Sequence, residues 1–79
     1  YSPGKPMRLD AATAAADEFH IGFGEIAGNL TLSRSGDLAQ AAARLYAALH
    51  AAAASELPRI AVAPIPQAGM GVAINDRLR

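Results

Sequence analysis

Arg59-Ile60-Ala61-Val62-Ala63-Pro64-Ile65-Pro66, running on into Gly69-Met70-Gly71-Val72-Ala73-Ile74-Asn75-Asp76-Arg77-Leu78-Arg79, is the stretch on which the fold turns. Ile60 to Ala63 is apolar at every position, as expected of a central strand covered on both faces. Two prolines break it and two glycines open the next element. Ile74 and Leu78, with Met70 one turn earlier, then give a helical stripe. A strand, a loop and a helix in that order belong to α/β architecture, whose helix-connected strands run parallel.

Upstream, residues 37–55 carry the complementary helix. Leu38, Ala42, Leu45 and Leu49 form its narrow apolar stripe, Asp37, Gln40 and Arg44 lie on another face, and Pro58 ends it. Ser35 is the expected N-cap, with Asp37 complementing the positive end of the helix dipole. Further back, Phe19, Ile21 and Phe23 alternate with His20 and Gly22, and Leu30 and Leu32 alternate with Asn29, Thr31 and Ser33. That period of two is a strand signal, and residues 24–28 between them read as a turn. Residues 7–10 suit a short edge strand. Residues 11–16 are alanine-rich and helix-friendly but lack a stripe to dock them. Residues 1–6, with prolines at 3 and 6, run extended into the domain. The expectation is a small three-layer, Rossmann-like α/β domain whose mostly parallel sheet is flanked by helices.

The core of such a domain must be thin. Of the 52% apolar residues, 20 are alanine, and Leu, Ile, Val and Phe number 17 of 79. A chain of this length buries only about 60–65% of its unfolded surface, so it is expected to lean on a neighbour. Seven basic and seven acidic residues without runs give a net charge of zero. No positive stripe exists for phosphate backbones or anionic lipid, so neither nucleic acid nor membrane is an expected partner of this piece. The absence of cysteine rules out disulfides and thiol catalysis and agrees with a cytoplasmic location. The start at Tyr1, without Met or a signal pattern, suggests a piece of something longer.

No residue set builds a catalytic centre. Gly22, Gly24 and Gly28 imitate a dinucleotide fingerprint, but a strand rather than a helix follows them, so they are expected to serve a turn. The loop from Pro64 to Gly71 sits after a central strand and before a helix, where α/β sheets bind ligands. Gly69 and Gly71 are accordingly its candidate anion or interdomain positions, although no Lys, Ser or Thr lies between them and Pro64. His20 and His50 have no second ligand at metal-binding spacing. Asn75-Asp76-Arg77 suits either an interdomain hydrogen-bonding patch or a solvated helix face.

Tyr1-Ser2-Pro3 with Pro6 and Arg8-Leu9, Gly36-Asp37-Leu38 with Ala41-Ala42 and Leu45, and the ending from Ile60 to Leu78 together resemble one family across nearly the whole chain. That family is the C-terminal domain of the long, two-domain threonylcarbamoyl-AMP synthases. The resemblance implies that residues 1–6 end an interdomain linker and residues 7–79 form the Rossmann-like C-terminal domain. The parent enzyme would condense ATP, L-threonine and bicarbonate into threonylcarbamoyl-AMP and pyrophosphate for tRNA modification. ATP and magnesium would be held by its own N-terminal catalytic domain, the intramolecular partner of this one, and this piece would bind no cofactor and be inactive alone. Tyr1 is the single position carried over as a contact to the nucleotide site. Two other readings compete: a stand-alone nucleotide- or effector-binding module using the loop before Gly71, and an oligomerisation domain forming a homodimer.

Overall fold

The computed structural model describes residues 4–79, so Tyr1 lies outside the described residues. The chain forms the expected small α/β domain, with four strands and two helices in the order β1 (Met7–Arg8), β2 (Glu18–Gly22), β3 (Leu30–Thr31), α1 (Leu38–Ala54), β4 (Arg59–Val62) and α2 (Met70–Leu78). The sheet order is β1-β4-β2-β3 and every pairing is parallel. Ile60 therefore has Met7 on one side and Phe19 on the other. Residues 60–63 are buried throughout, as their unbroken apolar run requires in the middle of a sheet.

Ile21, Phe23, Ile60 and Val62 share one apolar cluster with Leu45 and Leu49 of α1 and with Ile74 and Leu78 of α2. The stripe along α1 is wider than its leucines suggest. Ala41, Ala48 and Ala52 are fully buried, while Leu38 and Ala42 pack at the margin. Small side chains at those positions let the helix lie close. Met70 is not part of this core, because it stands half exposed on the first turn of α2, and of the three stripe residues Ile74 and Leu78 turn inward.

The opposite face of β2 is also covered, which its alternating pattern did not suggest. Residues 11–17 cross it as irregular chain rather than helix. The Ala11 N–H donates to Val62 O (2.8 Å), and Ala11 O accepts from His20 Nε2 (2.8 Å). His20 is consequently buried and satisfied in the middle of the sheet. The β2–β3 connection explains two of the glycines. A Cβ on Gly22 would collide with the Ile26 carbonyl, and one on Gly28 with the His20 carbonyl, so these two residues exist to let the β2–β3 connection press against the strand it leaves.

The start of α1 differs by two residues from the sequence expectation. The N-cap is Asp37, whose Oδ1 accepts from Ala39 N (2.9 Å) and Gln40 N (3.2 Å). Gly36, at φ 76°, swings the chain so that Ser35 falls outside the first turn. The Ser33 hydroxyl takes up the Asp37 N–H instead (2.9 Å).

Candidate functional site

The most heavily engaged polar groups converge where the chain enters the domain. Lys5 is the single lysine of the sequence. Its Nζ donates to Ala52 O (2.9 Å), Ser55 O (2.7 Å) and Leu57 O (2.8 Å), all 47 to 52 residues away. A helix leaves its last carbonyls without partners, and α1 has no basic residue in its own last turn. Lys5 supplies the missing cation from outside, where the helix dipole is negative. The next residue joins the same hold, because Pro6 O accepts from the Ile60 N–H (3.0 Å) and leads directly into β1 on the edge of β4.

Arg8 fixes the other end of this short strand. Its Nε and Nη2 reach the two oxygens of Glu18 at 3.2 and 2.8 Å, a forked ion pair, and Nη2 also donates to Thr13 O (3.0 Å). Glu18 is nearly buried, and its Oε1 accepts as well from Ala15 N (2.8 Å). Hydrogen bonding from Arg8, and after it from Ala15, holds the Glu18 carboxyl at about 2, well below the usual carboxylate value; the same hydrogen bond raises Arg8. The carboxylate thus ties β1, β2 and the covering coil into one unit.

The loop before α2 is closed upon itself. Gly69 takes a positive φ of 55° and caps the helix without a side-chain hydrogen bond. Gly71 is buried, and a Cβ there would strike the Pro66 carbonyl. The Gly71 N–H donates to Ala68 O (3.0 Å) and the Val72 N–H to Gly69 O (3.2 Å). Asn75 of α2 ties this loop down with its side chain, and it serves neither of the roles its sequence position suggested. It is buried, and its amide donates to Ile65 O and to Gly71 O, both at 3.0 Å. Asp76 and Arg77 remain on the exposed side, with Asp76 3.6 Å from Arg79.

Two concavities lie away from that loop. One, of about 360 Å³, runs between α1 and α2 and is lined by Leu45, Tyr46, Leu49 and Ile74, with Arg77 at its rim. Tyr46 is two-thirds exposed there and packs against His50 with ring centroids 4.3 Å apart and planes tilted by 51°. The other, about 440 Å³ and shallower, lies over the coil-covered face beside Glu18, His20 and Asn29. Among the described residues no three His, Cys, Asp or Glu side chains converge as a metal site would need. None of their helices is long and apolar enough to cross a membrane.

A family model described as the C-terminal domain of threonylcarbamoyl-AMP synthase matches residues 1–79. The chain belongs to that family. No curated protein and no solved structure matches it. A threonylcarbamoyl-AMP synthase C-terminal domain is part of an enzyme family, and the anchorage around Lys5 and Arg8 is the feature of this one that sequence reasoning passed over. The signal was present in a long helix without a cation near its end and a lone lysine just before the first strand.

Proposed function

We propose that this domain is the accessory C-terminal part of an L-threonylcarbamoyladenylate synthase, and that it anchors a linker which closes over the catalytic domain. Residues 1–6 are the end of that linker in this reading. What supports it is the hold on residues 5–8: an ammonium on three carbonyls, a parallel edge strand and a forked ion pair, all spent on fixing the place where the chain enters. A lid that excludes water from a labile carboxylated intermediate needs a rigid anchor more than it needs reactive side chains. ATP, magnesium, L-threonine and bicarbonate belong to the catalytic domain, and Tyr1 is its contact from the linker. Gly69 and Gly71 shape the interdomain loop. The product serves tRNA threonylcarbamoylation in the cytoplasm.

Calorimetric titration of this chain with the catalytic domain, and separately with ATP, tests the reading. Binding to the catalytic domain without binding to ATP is the expected result. ATP binding by this chain alone would overturn it in favour of a nucleotide-binding module. In the two-domain protein, Lys5→Ala should lower threonylcarbamoyl-AMP formation while ATP binding to the catalytic domain persists.

A second reading, a homodimerisation module, draws on the exposed Tyr46, Met70 and Val72. Sedimentation of the wild type against Tyr46→Asp decides it. A dimer that the substitution dissolves would support this role, and a monomer at high concentration would remove it.

A further inference from the structure

The three carbonyls on Lys5 form a socket as well as a cap. They come from the last turn of α1 and the connection that follows it, and they surround one nitrogen at 2.7 to 2.9 Å. The Ser55 hydroxyl gives its proton to Ala52 O (2.8 Å), so a lone pair of its oxygen faces the same nitrogen at 3.4 Å. Three acceptors thus meet the three N–H donors of an ammonium group, with an oxygen behind them, at the negative end of a helix dipole. Carbonyl oxygens arranged around a small cation in this way replace its hydration shell. A guanidinium does not fit such a socket, since its donors lie in a plane.

We propose that the C-terminal end of α1, completed by Ser55 and Leu57, is a binding site for primary ammonium ions that Lys5 fills in cis. The socket holds any small cation with three N–H donors, so a free ammonium ion or methylammonium takes it when Lys5 is withdrawn. The hold on the entering segment is therefore noncovalent and lasts as long as Lys5 occupies the socket. The consequence for a lid rests on the reading of residues 1–6 as a linker; the socket does not.

The test is chemical rescue of stability. Lys5→Ala and Lys5→Met in this chain should lower the Tm by about 8 °C or more. Thermal unfolding is then followed in ammonium, methylammonium and tetramethylammonium chlorides at matched ionic strength. Ammonium and methylammonium at a few hundred millimolar should restore about half of the loss, while tetramethylammonium, which has no N–H, restores none. The wild type should show no difference among the three salts. Equal responses to ammonium and tetramethylammonium, or a wild type that gains as much as the variants, would overturn the proposal. Should neither variant fold, the nitrogen-15 resonance of the wild-type Lys5 ammonium decides the matter. Slowly exchanging protons near neutral pH support the socket, and fast exchange sinks it. Because the readout is stability, rescue can succeed or fail whether or not the domain binds a catalytic partner.

Discussion

Asn75 holds two buried carbonyls from one amide, and Asn75→Ala should cost about 1–3 kcal/mol in urea unfolding, since the Ile65 carbonyl, outside the helix, loses its partner away from water. Its importance was hidden in the sequence because an Asn beside Asp76 and Arg77 looks like part of a polar face; only the closed loop ahead of it turns it inward. Glu18 makes a pH prediction. Its carboxyl sits at about 2 in the fold against an ordinary 4.5, so the folded state binds fewer protons than the unfolded chain in that window. Its contribution is complete above pH 4.5 and is lost as pH falls toward 2. A urea midpoint followed over that range should drop more steeply for the wild type than for Glu18→Gln. The glycines give a contrast. Gly24→Ala meets open space and suffers only its φ of 63°, about 1 kcal/mol, whereas Gly22→Ala must move backbone and should be far more damaging by the same measurement. A turn at residues 24–28 was legible from spacing, but the contact of Gly22 with the Ile26 carbonyl was not, because it depends on which strand the turn folds back upon.

At the level of elements, helices and strands with strong periodicity were readable and their ends were not. Residues 60–63 announce a central strand, and the leucines of α1 fix its face. The cap moved from Ser35 to Asp37 because Gly36 interposes a left-handed residue, a local geometry that residue type alone does not dictate. The two candidate caps separate cleanly by experiment: Asp37→Ala should lower stability by about 1 kcal/mol, and Ser35→Ala, whose oxygen meets only the Ser33 hydroxyl (3.2 Å) among the described residues, should leave the melting curve nearly unchanged. Residues 11–16 have helical composition yet cross the sheet as coil. Their backbone is committed to β4 through the Ala11 N–H and to Glu18 through the Ala15 N–H, and these tertiary bonds outweigh a propensity of a few tenths of a kcal/mol per residue.

The whole molecule measures 32 × 24 × 18 Å, thin along one axis, with both helices on one cluster and irregular chain over the other face of the sheet. The family was legible from scattered motifs and the α/β class from the last third, but the anchorage was not, because it joins residues some fifty positions apart. A domain this slight should gain measurably from a partner. A catalytic domain supplied at a hundred times its Kd would raise unfolding stability by about 2.7 kcal/mol, read as a shift of the thermal transition, and the absence of any shift would count against the anchoring role. Ala52 shows how small a dimension sets the grip on Lys5. Its methyl group is wholly enclosed in the core while its carbonyl is one of the oxygens on Lys5. The side chain therefore works as a spacer, fixing how high the end of the helix stands above the strands, and the reach of the lysine is matched to that height. A branch added there, as in Ala52→Val, would lift the helix end and slacken the grip on the incoming chain without altering any residue of the grip itself.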